Sequence, residues 1–334
     1  MAHTSATAVS MALNNRPGLS EKTRQRILKI AKKIEYRPNY FAKSLIGKPS
    51  DTLALLVENI TDPFYSELAL GTEEKAAELG YSVLIYNTGG SLAKEKDCID
   101  NLRARGVDGA ILSTVTMDDP SIGQLIEDRF PFVCVNRFSL DRALRNRIDY
   151  VILDNYSCGY QGIEHLYRLG HDRIALITGA LSAATALMRT KGSVQAMEDY
   201  GLAKNPEWVV ECDFLREKAF RAARQLLATG KPPTAFFCQD DIMAIGVREA
   251  VLGAGLQIPK QIALIGMNDI EMASLTGVEL TTIRQNIYQM GVAGAEVLIK
   301  RIQRTGSDMV NQVIINSELI IRKSCGFNLT GYVR

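Results

Sequence analysis

From residue 52 onward, short apolar runs alternate with longer amphipathic stretches. TLALLV (52–57), SVLIY (82–86), GAILS (109–113), FVCVN (132–136), YVILD (150–154), RIALIT (173–178), AFFCQ (235–239) and IALIG (262–266) each have the length of a strand, and their apolar residues are consecutive rather than alternate. Such runs mark strands covered on both faces, as in the parallel sheet of a doubly wound α/β fold. Between them, helical periodicity runs over 65–79, 92–105, 156–169, 183–200, 216–229, 241–254 and 287–303. Eight strands spread over roughly 230 residues exceed one short sheet, so two sheets in two lobes are predicted.

The first fifty residues read differently. Ser5–Asn14 has apolar residues at Val9, Met11 and Leu13 and is stopped by Asn14-Asn15-Arg16-Pro17-Gly18. Ser20 offers a hydroxyl N-cap to a second helix whose apolar stripe is Ile27, Leu28, Ala31 and Ile34, with a cationic opposite face. A third piece, Asn39–Leu45, follows Pro38 and ends at Gly47-Lys48-Pro49. It is too short to be helical without a surface to dock on.

The length, 334 residues, suits two or three folded units, and 46% hydrophobic with 23% charged residues is the balance of an ordinary globule. Charge changes the picture more. Residues 1–50 carry ten Lys or Arg against Glu21 and Glu35, a net +8; the whole chain is only +2, so the remainder is −6. A concentrated basic segment on an acidic body fits a polyanion, since each phosphate neutralised releases condensed counterions. Nucleic acid is the expected partner of this segment.

Chemistry that is missing narrows the field. The six cysteines include no C-x-x-C pair, so buried reduced thiols are expected. No phosphate-binding glycine loop, nucleophile elbow or H-E-x-x-H helix occurs. No catalytic residue, metal or cofactor is predicted, and the protein is read as a non-enzyme. His165 and His171 read as packing or capping residues, Asp240-Asp241 as a helix cap, Phe236-Phe237 and Trp208 as core. No apolar run is long enough for a signal peptide or a membrane span, so the expectation is a cytoplasmic protein without a membrane partner.

In open α/β sheets ligands bind beyond the carboxyl ends of the strands. Those ends are polar here: Asn59, Asp62, Phe64 and Tyr65; Asn87 and Thr88; Asn136 and Arg137; Asp154 and Asn155; Gln239, Asp240 and Asp241; Asn268 and Asp269. Amides and carboxylates beside aromatic faces suit a polyhydroxylated or heterocyclic small molecule better than a phosphate. Turn and cap chemistry competes for every one of these residues.

Over nearly its full length the chain resembles bacterial transcription regulators of the LacI/GalR type. The resemblance rests on ALNNRPGLSEKTRQRIL (12–28), EYRPNYFAKSL (35–45), ITDPFYSELALGTEEKAAELGY (60–81), RGVDGAIL (105–112), DNYSCGYQGIEHLYRLGHDRIALITG (154–179), CQDDIMAIG (238–246) and IALIGMNDIE (262–271), followed by LTTIRQ (280–285). It implies an N-terminal helix-turn-helix segment and a hinge helix at 39–46. It also implies a two-lobed, doubly wound parallel-sheet core like the type I periplasmic binding proteins. The N-lobe would take 52–152 plus 285–316, and the C-lobe 153–284 plus 317–334. It further implies operator DNA contacts at Ser5, Thr7, Ser10, Asn14, Asn39, Lys43 and Leu45, the last as a minor-groove wedge. Effector contacts would fall on Asp62, Phe64, Asn136, Arg137, Arg189, Asn268 and Gln285. The implied protein is a homodimeric repressor controlled by a sugar-like effector.

The chain departs from the family pattern in several places. The match begins at Ala2, leaving out the family's first helix, so a truncated helix-turn-helix is expected; Ala8 and Met11 stand where Thr and Arg are usual. Asp240 replaces an Asn, the GFDD turn reads GMND, and Val278 and Asn286 replace prolines. The alternative reading is a cytoplasmic small-molecule sensor that has lost specific DNA binding. An enzyme on the same scaffold is a third.

Overall fold

A computed structural model describes residues 4–13, 17–34, 49–114, 116–117, 119–139, 141–202, 205–305, 309–330 and 332–333. The chain divides into two compact units at Ser50/Asp51.

In the first unit, α1 (Ala6–Leu13) and α2 (Glu21–Lys33) pack on each other and bury Ala12 and Ile27. Ser20 caps α2, its Oγ accepting from the Thr23 N–H at 3.3 Å. The expected apolar stripe is only partly used: Leu28 and Ile34 are exposed, because two short helices offer too little surface to cover it. Asn14, Asn39, Lys43, Leu45 and the hinge helix predicted at 39–46 lie outside the described residues.

The second unit holds two six-stranded sheets. In chain order its elements are β1 (Thr52–Val57), α3 (Pro63–Glu78), β2 (Ser82–Asn87), α4 (Leu92–Ala104), β3 (Gly109–Leu112), α5 (Pro120–Glu127), β4 (Phe132–Val135), α6 (Arg142–Arg145) and β5 (Asp149–Leu153). Then follow α7 (Asn155–Arg168), β6 (Ile174–Thr178), α8 (Ala184–Asp199), β7 (Val209–Glu211), α9 (Arg216–Leu227), β8 (Ala235–Cys238), α10 (Asp241–Gly253), β9 (Ala263–Asn268) and β10 (Thr281–Arg284). The chain ends with α11 (Ile287–Gln303), β11 (Gln312–Ile315), β12 (Glu318–Ile320) and α12 (Phe327–Thr330).

The sheet orders are β11-β5-β4-β3-β1-β2 and β12-β10-β9-β8-β6-β7, all parallel except β12 on β10. Each sheet is a doubly wound α/β layer. The consecutive apolar runs are explained by what covers the two faces. Along β1, Leu53, Leu55 and Val57 join one core cluster while Ala54 and Leu56 join the cluster on the opposite face. In the second sheet, Phe236 and Phe237 divide the same way. β2 is the exception: its run reads as buried, yet Leu84 and Ile85 are exposed, because β2 is an edge strand. The chain passes between the sheets three times, at 153–155, 284–287 and 315–318.

Trp208, Phe236 and Phe237 are buried in cores. The six cysteines are unpaired, and five are buried. His165 packs between Tyr332 (Nδ1 to Oη 3.1 Å) and Cys325 (Nε2 to Sγ 3.4 Å), and burial pulls it down to about 4. Among the described residues no helix is long and apolar enough to cross a membrane, and no group of three His, Cys, Asp or Glu is placed to hold a metal.

Candidate ligand-binding cleft

Strand order reverses between β1 and β3 in the first sheet and between β6 and β8 in the second. At such switch points neighbouring helices leave in opposite directions and open a crevice past the carboxyl ends of the strands. A cleft of about 310 Å³ lies there, lined from both sheets. Asp62, Phe64, Asn136, Arg137, Arg189, Asn268 and Gln285, the seven residues expected to face an effector, all line it.

Backbone geometry aims several of them. Asn136 (φ 65°) and Asn268 (φ 115°) end their strands in left-handed conformations, which amides tolerate better than most side chains. Asp213 (φ 52°) and Phe214 (φ 59°) do the same after β7. Four such residues around one crevice mark strain concentrated where side chains must point inward. Asp62 is the N-cap of α3, its Oδ1 accepting from the Phe64 N–H at 2.9 Å. That cap places Phe64 against the cleft, edge-on to Tyr65 with centroids 5.1 Å apart.

Two buried arginines differ in how they are held. Arg137 donates from Nη2 to Glu58 Oε2 at 2.6 Å, and its guanidinium lies 5.4 Å from the Phe214 ring centroid. Arg189, 3% exposed, donates from Nε to Asn155 Oδ1 and from Nη1 to the Gln239 carbonyl, both at 2.8 Å, with no carboxylate bonded to it among the described residues. Burial pulls its guanidinium down to about 10. Arg189 reaches this position because α7 and α8 approach closely. A Cβ at Gly159 would strike the Arg189 carbonyl, and one at Gly192 would strike that of Tyr156.

Two carboxylates of the cleft make no ion pair among the described residues. Asp240 caps α10 through Met243 N–H (3.1 Å) and accepts from Asn268 Nδ2 at 2.8 Å; Gln285 donates in turn to Asn268 Oδ1. Burial, and after it the charge of Asp62 from the other sheet, push Asp240 up to about 7. Burial likewise raises Asp62, against the lowering effect of the Phe64 N–H. Asn136 Oδ1, Gln285 Oε1 and Arg137 Nε are buried with no hydrogen-bond partner among the described residues. The cleft therefore combines spare acceptors, a buried cation and aromatic walls. It is equipped to bind a polar, ring-shaped molecule, and nothing in it forms a nucleophile–base pair.

Other strand-end residues serve structure. Asp154 caps α7, accepting from Ser157 N–H at 3.0 Å, and Asn155 holds Arg189. Asp241 accepts from Thr282 Oγ1 (2.7 Å) and Ile270 N–H (3.0 Å), while Asp269 pairs with Arg284 and Arg322. Glu58, Asp213 and Phe214 line the cleft without having been expected there, and Asp240, named among the polar strand ends and read as a helix cap, lines it as well. Asp213-Phe214 follow a three-residue strand that has no apolar run to announce it.

In the first unit, Ser5 Oγ accepts from the Ala8 N–H at 3.2 Å, at the start of α1, and Thr7 is exposed. Ser10 is half-buried.

A family model for "Periplasmic binding proteins and sugar binding domain of LacI family" matches residues 50–323, and one for "Bacterial regulatory proteins, lacI family" matches residues 1–39. The chain belongs to the LacI family. A relative, the HTH-type transcriptional repressor PurR of Histophilus somni (strain 129Pt), is 33% identical over 328 residues, covering 97% of this chain and 96% of PurR. The solved Lac repressor dimer bound to operator and the anti-inducer ONPF superimposes with a TM-score of 0.85 at 25% identity, covering 97% of this chain and 96% of that one. A CelR–cellobiose complex gives a TM-score of 0.77 at 26% identity, covering 97% of each chain. LacI-family membership makes the chain a DNA-binding transcription regulator with a ligand-binding domain, not an enzyme. The match of residues 1–39 also weighs against the reading as a sensor without DNA recognition.

Proposed function

We propose that this protein is a cytoplasmic repressor whose affinity for an operator is set by a small sugar-like effector held in the cleft between the two sheets. One observation carries the reading. Seven residues scattered from 62 to 285 converge on one crevice, with buried, unpartnered hydrogen-bonding atoms at Asn136, Arg137 and Gln285. Asp62, Asn136, Asn268 and Gln285 would take ligand hydroxyls, Arg137 and Arg189 would donate to them, and Phe64 would cover a ring face. Ser5, Thr7, Ser10, Asn14, Asn39, Lys43 and Leu45 would contact DNA. A homodimer is supported by exposed apolar side chains on one lobe, Leu70 on α3 and Leu84 and Ile85 on the two faces of the edge strand β2.

The ligand acts on DNA affinity by binding two conformations unequally, because a molecule with equal affinity for both shifts nothing. Fluorescence anisotropy with promoter fragments from the gene's own neighbourhood, at two salt concentrations, tests the first half. Salt-dependent, fragment-specific binding is expected, and its absence overturns the DNA role. Calorimetry with a panel of mono- and disaccharides identifies a cleft ligand, which should then change the DNA Kd at least about fivefold. An unchanged Kd with the cleft saturated overturns the coupling.

A further inference from the structure

At the opposite end of the first sheet from the cleft lies a larger concavity, about 680 Å³, between the amino ends of β4, β5 and β11 and the last turn of α11. Strand length alone separates the two by roughly 15 Å, so neither shares residues or solvent space with the other. Five cations line it: Arg129, Arg147, Lys300, Arg301 and Arg304. They come from three places in the chain, within an otherwise acidic body.

Asp149 is the single carboxylate among the described lining residues, and it is fully occupied. Arg301 holds it through two bonds, Nε to Oδ2 at 2.8 Å and Nη2 to Oδ1 at 2.7 Å, and the Asn311 N–H adds a third at 2.7 Å. Arg129, Arg147, Lys300 and Arg304 are exposed and have no ion pair among the described residues. The carboxyl ends of α5 and α11 meet here, and their partial negative charges account for some of this cationic density. Two helix ends supply about one negative charge in total, against four free positive ones. The floor is apolar, with Leu125, Phe132 and Ile148 buried beneath the charged rim.

We propose that this concavity is a second ligand site, specific for a small organic molecule bearing a phosphate group. A doubly charged phosphate answers several guanidinium forks at once, which a single carboxylate does not. The apolar floor receives the organic part, and the volume is that of a small-molecule site. A phosphorylated molecule bound here would act on the sheet from the end opposite the effector.

The test uses the full chain and inorganic pyrophosphate as the probe, by isothermal titration at constant ionic strength. A saturable site is expected. The double variant Arg129→Ala/Arg147→Ala should weaken it at least tenfold, and Lys300→Ala/Arg304→Ala should do the same. Arg189→Ala, in the cleft, should leave it unchanged. All four rim positions are exposed, so thermal melts of these variants should match the parent. Heats that do not saturate overturn the proposal. So does binding that survives both rim variants, which would place the anion on the basic N-terminal segment, and so does binding abolished by Arg189→Ala, which would place it in the cleft.

Discussion

Arg189 keeps a full charge in the protein interior with only an amide and a peptide carbonyl bonded to it. A buried guanidinium held by neutral dipoles retains donor capacity for whatever enters the cleft, whereas Arg137 spends part of its own on Glu58. Replacing Arg189 by Ala should weaken effector binding by ~1–3 kcal/mol, the worth of a charged hydrogen bond. Calorimetry on the ligand found in the screen checks this, and an unchanged Kd would remove Arg189 from the site. Glu95 is a second buried group whose charge is costly: it is 2% exposed, and burial, then the charge of Asp119, push its carboxyl up to about 8. The unfolded chain ionises this acid near 4.5. Its contribution to stability is therefore whole below that pH and is lost as pH rises through about 8. The parent Tm should fall between pH 6 and 9, and Glu95→Gln should flatten that fall. Parallel pH profiles for the two proteins would show that Glu95 is not the group responsible.

At the scale of elements, the paired helices of each lobe meet through glycine. Gly159 and Gly192 let α7 and α8 touch backbone to backbone, and Gly71 and Gly291 do so for α3 and α11. Gly159→Ala forces α8 away from α7, at a cost of about 1–3 kcal/mol for overpacking. It should lower Tm and, because α8 carries Arg189, also weaken ligand binding; a drop in Tm with ligand affinity intact would sever that link. The same scale shows what could be read in advance. Strands such as β1 and β8 were legible because both their faces are buried, which forces consecutive apolar residues. β7, β10, β11 and β12 were not: VVE and ELI have three residues, TTIR is buried but mostly polar, and β7, β11 and β12 are edge strands, half-buried at best. Cleft residues at the ends of long strands were legible for the same reason, and Phe214, which follows β7, was not.

At the scale of the molecule, charge and apolar surface divide the work. The basic first unit implies a log–log salt dependence of DNA binding whose slope drops by about 1 for each phosphate-contacting Lys or Arg removed. Lys22→Ala and Lys29→Ala, both exposed on α2, are the variants with which anisotropy at several salt concentrations reads that slope; two unchanged slopes would place the phosphate contacts elsewhere. Leu84 and Ile85 present apolar surface on an edge strand. Leu84→Lys/Ile85→Lys should convert a dimer to a monomer in sedimentation, and a parent that is already monomeric would refute the interface.

Two of the three passages between the sheets are joined to each other, and the third of them is tied to the helix that follows the first. Asn286 Nδ2 donates to the Asn316 carbonyl at 3.2 Å, and Cys158, in the first turn of α7, donates to Ser317 Oγ at 3.3 Å. Gln285, on the second passage, also reaches into the cleft and grips Asn268. Under the proposed function, a guest that competes for that grip would pull directly on the tied passages that join the lobes. Message and mechanical axle would then be one piece of backbone, with no relay required between them.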